Sequence, residues 1–124
     1  MSPEDSITYR DAVFDDAPEI ANVHIRSWQE AYKGLLPHDF LDQRHLLFKN
    51  RLELWKALVA DPSQKTIVAE NPLHGVVGFI NGGPGRDEEK KSHLEIYCLY
   101  LLKHFWGKKI GFQLLKRNFR KLWI

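Results

Sequence analysis

The stretch LEIYCLYLLKHFWGKKIGFQLLKR, residues 94–117, decides the fold of this chain of 124 residues. Residues 94–102 are apolar on both faces, which is typical of a central strand. A basic loop with two glycines follows, HFWGKKIG at 104–111, and then an amphipathic helix. Because a helix start offers unpaired N–H groups and a partial positive charge, this order predicts an anion site of the kind that holds a phosphate.

Charge is unevenly spread along the chain. The formal net charge is +2, yet seven Lys or Arg and no Asp or Glu occur from Lys103 onward. Such a basic end suits an anionic partner, although a solvated helix face is the simpler interpretation of the charges alone.

Composition predicts one domain over residues 1–124 with a single core, since 44% of the residues are hydrophobic and 27% charged. The sequence has no apolar run long enough to span a bilayer and no apolar signal segment at its acidic start. Cys98 is the only cysteine, which excludes an internal disulfide. We therefore expect a cytoplasmic protein without a membrane partner.

The remaining patterns predict five further helices and strands and one charged loop. ITYRDAV at 7–13 alternates like a strand. FDDAPEIANVHIRSWQEAY at 14–32 has helical spacing, and Asp16 with Glu19 predicts a capping box. A second helix is predicted over 43–59. KTIVAE at 65–70 and VVGFING at 76–82 predict a hairpin, and GPGRDEEKK at 83–91 a charged loop. The predicted order is β-α-α-β-β-β-α.

This order, ending in LYLLKHFWGKKIGFQLL, resembles the GNAT superfamily of acyl-CoA-dependent N-acetyltransferases. The opening SITYRDAVFDDAPEIANVHIRSWQEAYKGLLP is also similar to bacterial members, in which a histidine, a Ser-Trp pair and a Tyr-x-Gly-x-x-Pro turn recur. VVGFINGGPGRD and LEIYCLYLL match the third and fourth strands of the family. The likeness runs from about Ile7 to the end of the sequence.

The resemblance implies an α/β (α+β) fold with a mostly antiparallel central sheet. It also implies acetyl-CoA as cosubstrate, no metal, and a small-molecule or protein amine as acceptor. In the family the fourth strand pairs with the pantetheine arm, and backbone amides of the following loop cradle the pyrophosphate. The residues that correspond here are Leu99, Tyr100 and Leu101 for the arm, and Gly107, Lys108, Lys109, Ile110, Gly111 and Phe112 for the pyrophosphate.

Two positions of the loop differ from the family motif Gln/Arg-x-x-Gly-x-Gly/Ala. Trp106 stands at the Gln/Arg position and Lys109 at the first glycine. If that position requires a positive φ, lysine adds strain of about 1 kcal/mol or more. We therefore expect weakened CoA binding that Lys109→Gly would tighten, unless the lysine itself binds phosphate.

The sequence ends at Ile124, before the strand, helix and hairpin that follow in the family and usually supply a tyrosine acid. We therefore expect weak or absent catalysis. We also expect a homodimer formed through the exposed fourth strand or the last helix, because an unprotected apolar edge favours pairing.

Glu95 is the candidate general base, because period two places it on one strand face with Tyr97, Leu99 and Leu101. A solvated carboxylate at the strand start is the alternative. Tyr97 and Tyr100 could replace the missing acid, but aromatic packing is the favoured interpretation. Cys98, on the face opposite Glu95, is interpreted as a buried apolar filler.

Trp28, Tyr32 and Gly34 are the predicted substrate-binding residues, since the family's first helices line the acceptor cleft. His24 is interpreted as structural rather than catalytic. The six histidines show no metal-ligand spacing, so we predict no metal site.

Three functions are compatible with these patterns. The first is an acetyl-CoA-dependent amine N-acetyltransferase, and the second a non-catalytic CoA-binding or interaction module on the same fold. The third, nucleic-acid binding through the basic last helix, is disfavoured because the aromatic residues there suit a core better than an exposed stacking surface.

Overall fold

The structure, a computed structural model, describes residues 3–35, 44–85 and 94–122. The elements in chain order are β1 (Thr8–Asp11), α1 (Ala17–Tyr32), α2 (Arg44–Ala60), β2 (Lys65–Asn71), β3 (Gly75–Pro84), β4 (Leu94–Leu101) and α3 (Ile110–Leu122). This order confirms the predicted α+β fold. Most of the predicted charged loop at 83–91, and the later part of the turn that contains Pro37, lie outside the described residues.

The described strands form one antiparallel sheet in the order β1-β2-β3-β4. The predicted hairpin joins β2 and β3 through residues 72–74. Asn71 fixes this turn, because its Oδ1 accepts the N–H groups of Leu73 and His74 at 2.9 and 3.1 Å. Gly75 then takes a φ of +75°, which an L side chain rarely adopts.

Helices cover both faces of the sheet. Helix α1 packs against α2 and against β3 and β4, while α3 packs against β2, β3 and β4. Phe79 lies on the α1/α2 face, where its ring is 4.8 Å from that of the buried Trp55. Gly82, three residues later, lies on the other face, beside Asn118 of α3. Each fully buried large apolar side chain in these two layers stabilises the fold by about 1.5–3 kcal/mol.

The pairing of β3 with β4 contains one register break. Asn81 pairs with Cys98 and Gly82 with Ile96, so β4 carries Tyr97 as an extra residue. Tyr97 and Cys98 consequently line the same pocket although they are neighbours in sequence. The side chains of β4 before and after this bulge therefore do not follow the single alternation between the two faces of the sheet that the sequence suggested.

The strand-face prediction for Glu95 is correct for Tyr97 but wrong for Leu99 and Leu101, because of this bulge. Glu95 pairs with Gly83, where an added Cβ would lie 3.2 Å from the Tyr97 hydroxyl, so Glu95 and Tyr97 do share the α1/α2 face. Leu99 and Leu101 pair with residues of the opposite face, Ile80 and Gly78. Cys98 lies on the same side as Glu95 and is half-buried rather than fully buried.

The predicted capping box at the start of α1 is also wrong. The Asp16 side chain makes no cap hydrogen bond to the helix and instead pairs twice with Arg10, at 2.7 and 2.9 Å. Arg10 also donates to Glu70 of β2, so the three residues tie β1, β2 and α1 together. Arg10 offers the Asp16 carboxylate a full positive charge and two hydrogen bonds, whereas a cap would offer only uncharged backbone N–H groups.

We expect Asp16→Asn to lower the free energy of unfolding at pH 7 by about 1–2 kcal/mol, because it weakens two charged hydrogen bonds. The Arg10 guanidinium holds the pKa of the Asp16 carboxyl below its usual value. This contribution is present above the pKa of the unfolded chain and is lost as the pH falls through the lower, folded pKa.

Urea unfolding at pH 7 and pH 3 measures the effect, with Asp15→Asn as control because Asp15 is exposed. The difference between Asp16→Asn and the unmodified chain should shrink at pH 3. Equal losses from both substitutions at pH 7 would contradict the assignment.

Candidate functional site

A run of free backbone amides joins β4 to α3. In the part of the chain that the structure describes, the N–H groups of residues 107–112 have no hydrogen-bond acceptor. The first bond of the helix runs from the Gln113 N–H to the Lys109 carbonyl, at 3.1 Å. Consecutive unpaired amides at a helix start form a concave anion-binding surface, so the predicted loop has the geometry of a phosphate site.

Two residues give the loop its shape. Gly107 has a φ of +78° and Lys109 a φ of +64°, both in the left-handed region. The strain expected at Lys109 depended on a positive φ, and the structure shows one. Lysine thus occupies a conformation that glycine adopts more easily. Lys109 lines the same cavity as the two loop glycines.

The loop and the end of β4 form one wall of a cavity of about 470 Å³, which we call the loop cleft. Helix α1 provides the facing wall. The residues that line the loop cleft are Ser27, Ala31, Leu99, Tyr100, Leu101, Trp106, Gly107, Lys109, Ile110 and Gly111. Seven of the nine predicted CoA-binding residues are thus brought together at one site.

The other two predicted CoA residues, Lys108 and Phe112, contribute backbone amides to the free run, but their side chains do not line the cleft. The Lys108 ammonium lies 3.5 Å from a carboxylate oxygen of Asp5 and 5.7 Å from the centre of the Phe105 ring. The Phe112 side chain is 61% exposed.

Sequence reasoning missed three residues of the loop cleft. Ser27 and Ala31 are small and lie four residues apart on α1, a spacing that could have revealed the space between α1 and β4. The Ser27 hydroxyl oxygen is buried and has no partner among the described residues. Trp106 extends the wall, and its indole N–H donates to the Leu101 carbonyl at 2.8 Å.

A second cavity, of about 340 Å³, lies on the α1/α2 side of β4, and we call it the His24 pocket. Its lining residues are His24, Leu54, Trp55, Leu58, Gln64, Asn81, Tyr97, Cys98 and Tyr100. Tyr100 also lines the loop cleft, so the two cavities adjoin at this residue. A molecule held in the loop cleft would therefore lie next to one held in the His24 pocket.

His24 is neutral in this environment. Its Nδ1 accepts the indole N–H of Trp55 at 3.1 Å, which places the ring proton on Nε2. Burial, aided by the charge of Arg51, lowers the pKa of His24 to about 4. The ring centre lies 4.7 Å from that of Tyr100, whose own pKa is raised chiefly by burial.

The predicted catalytic and substrate-binding residues are only partly brought together. Trp28 lines a cavity of about 220 Å³ with His24, Ile25, Leu47 and Arg51, which we call the Arg51 cavity. Tyr32 packs against Trp28 with ring centres 5.2 Å apart, and Gly34 lies in an exposed turn with a φ of +85°. Glu95 lines neither the loop cleft nor the His24 pocket.

Tyr97 is already engaged, because its hydroxyl donates to the Pro84 carbonyl. Over residues 3–35, 44–85 and 94–122 there is no group of three or more His, Cys, Asp or Glu that could hold a metal ion. The helices in these ranges also include none that is long and apolar enough to cross a membrane.

Comparison with known proteins identifies the fold. The model of the acetyltransferase (GNAT) family matches residues 19–121, which is most of the chain. The chain belongs to the GNAT family. It is 32% identical over 112 residues to the uncharacterized N-acetyltransferase YuaI of Bacillus subtilis. That match covers 90% of this GNAT chain but only 62% of YuaI, so the chain spans less than two thirds of the length of this relative.

Solved structures support the same fold. The PaiA N-acetyltransferase of Thermoplasma acidophilum, in complex with coenzyme A, matches with a TM-score of 0.72 and 20% identity, over 93% of this GNAT chain and 70% of its own. A predicted acetyltransferase of Clostridium acetobutylicum with acetyl-CoA has a TM-score of 0.63 and 17% identity. Its match covers 94% of this chain and 73% of its own.

We expect Lys109→Gly to stabilise the folded chain by about 0.5–1 kcal/mol, since relief of the left-handed strain exceeds the added entropy of the unfolded glycine. The melting temperature should rise by about 2–5 °C. Lys109→Ala is the matched control, because it removes the charge but keeps the Cβ and the strain. A rise of the same size in Lys109→Ala would show that the lysine charge, not the backbone, is unfavourable.

Proposed function

We propose that this chain binds acetyl-CoA and transfers its acetyl group to a primary amine. The observation that carries the proposal is the run of free amides at 107–112, which opens into the loop cleft beside β4. The amides suit the pyrophosphate, and the end of β4 suits the amide groups of the pantetheine arm. The PaiA structure in complex with coenzyme A and the Clostridium acetobutylicum structure with acetyl-CoA support the same ligand.

The proposed reaction forms a bond between the amine nitrogen and the acetyl carbon, and breaks the bond between that carbon and sulfur. An alkyl ammonium group is protonated at pH 7, so the amine must lose a proton before it attacks and another after the bond forms. The thiolate that leaves takes up one proton. We propose Glu95 as the base, with a backbone amide near Leu99 to polarise the thioester carbonyl.

Glu95 would act from the α1/α2 side of β4, which is the face it shares with Tyr97. This position favours contact with the acceptor rather than with CoA. A chain of water molecules between the carboxylate and the amine would complete the route for the proton, because Glu95 lines neither cavity directly.

The alternative is a non-catalytic CoA-binding module on the same fold. Both functions would use the loop cleft to bind CoA, and they differ only in whether acetyl transfer follows. Binding and transfer must therefore be measured separately.

Binding of acetyl-CoA is tested with substitutions at Gly111, where an added Cβ would meet only the Leu99 side chain at 3.6 Å. We expect Gly111→Glu to weaken binding at least tenfold relative to Gly111→Gln, because the two differ only in charge and the site holds an anion. Isothermal titration calorimetry measures both, with Gly111→Ala as the control for the Cβ. Equal affinities in Gly111→Glu and Gly111→Gln would contradict an anion site at this loop.

Turnover is tested by release of free thiol from acetyl-CoA with a panel of primary amines. Glu95→Gln should reduce the rate by about 10²–10⁴-fold if Glu95 is the base, while calorimetric CoA affinity stays unchanged. CoA binding without thiol release for any amine would favour the non-catalytic module.

We also propose a homodimer formed through β4 or α3. In the described sheet β4 pairs only with β3, so its other side has no strand partner there. Leu99 on this strand is 39% exposed. Light scattering at several concentrations measures the molar mass, and a monomer throughout that range would contradict this proposal.

A further inference from the structure

We propose that the acceptor is an amino acid with an apolar or aromatic side chain, bound in the His24 pocket with its carboxylate paired to Arg51. The inference rests on the proposed acetyl transfer and specifies its acceptor. It excludes polyamines and other acceptors whose only charges are positive.

The position of the His24 pocket makes it the acceptor side. Tyr100 lines both this pocket and the loop cleft, so the two cavities meet at one residue of β4. His24 in turn lines both the pocket and the Arg51 cavity. The three cavities therefore adjoin one another around Tyr100 and His24. The thioester end of CoA is expected near Tyr100, and the Arg51 charge acts on both Tyr100 and His24.

No carboxylate lines the acceptor side within the described ranges. The lining sets of the His24 pocket and the Arg51 cavity contain no Asp or Glu. Among these described lining residues, a second ammonium group on the acceptor would find no opposite charge and would meet the Arg51 guanidinium instead. This arrangement opposes a polycationic acceptor.

Arg51 supplies the charge that selects the ligand. It is half-buried on α2 and, among the described residues, makes no salt bridge or hydrogen bond. Its charge reaches the pocket, because it contributes to the lowered pKa of His24 and acts on Tyr100. A guanidinium in this position fits a carboxylate, which it can bind through two parallel hydrogen bonds.

The walls of the pocket suit an apolar side chain. Leu54, Trp55 and Leu58 of α2 face the rings of His24 and Tyr100, and the volume of about 340 Å³ suffices for an aromatic ring. The neutral His24 adds no positive charge, since Trp55 donates to its Nδ1. Its Nε2–H remains as a donor that can help to orient a carboxylate.

The test compares three ligands that differ in whether they carry an aromatic ring, a carboxylate or several positive charges. L-Phenylalanine has the amine, ring and carboxylate, 2-phenylethylamine lacks the carboxylate, and spermidine is a polycation. Calorimetric titrations use the protein saturated with CoA, which lacks the acetyl group and so prevents turnover. We expect L-phenylalanine to bind at least tenfold more tightly than either of the other two, as a charged hydrogen-bonded pair predicts.

Arg51→Met should remove this preference, and Arg51→Lys should retain part of it. Lys49→Met is the matched control, because Lys49 is an exposed cation on the same helix and should leave all three affinities unchanged. Tighter binding of spermidine or 2-phenylethylamine, or an unchanged preference in Arg51→Met, would overturn the inference.

Failure of the inference is distinguishable from failure of the proposed function. If CoA itself does not bind, the proposed function is wrong. If CoA binds and none of the three ligands does, the amino-acid acceptor is wrong while the CoA site stands.

Discussion

The backbone of the loop between β4 and α3 constrains the rest of the site. Gly107 and Lys109 both lie in the left-handed region, and the N–H groups of residues 107–112 have no acceptor among the described residues. Such amides find no partner in the helix that follows, and water or an anion must satisfy them. The loop cleft exists because the small Ser27 and Ala31 of α1 leave room opposite this turn.

The bulge in β4 distributes side chains between the two faces of the sheet. In a regular strand without a bulge, neighbouring residues such as Tyr97 and Cys98 lie on opposite faces of the sheet. With the bulge, Tyr97, Cys98 and Tyr100 all line the His24 pocket, whereas Leu99 and Leu101 pair with residues of the face that α3 covers. One inserted residue thus lets a single strand serve two cavities.

The order of elements and the loop could be predicted because they depend on local patterns. The predicted helix over 43–59 is observed at 44–60, and the glycine loop lies where the apolar strand ends. The bulge could not be predicted, since it depends on how β3 and β4 pair. The same is true of Asp16, whose partner Arg10 lies on a neighbouring strand and outcompetes the helix amides.

The site was predictable only in part, because part of it also depends on contacts between distant segments of the chain. A family motif locates backbone groups, and seven of nine proposed CoA residues do meet in one cleft. Side-chain directions depend on distant segments, as Lys108 shows by pairing with Asp5 near the start of the chain. Arg51 carried no recognisable signal, because its place beside His24 follows from the packing of α1 against α2.

The bond from Trp106 to Leu101 has a consequence for the growth of the sheet. Backbone carbonyl groups at the end of an edge strand attract further strands, and proteins protect them to avoid aggregation. The indole N–H covers the last carbonyl of β4 at 2.8 Å and holds a bulky ring beside it. Any segment that added to β4 would have to stop short of Leu101 or break this bond. Trp106 thereby limits how far the edge can be extended, while the cleft beside it stays open.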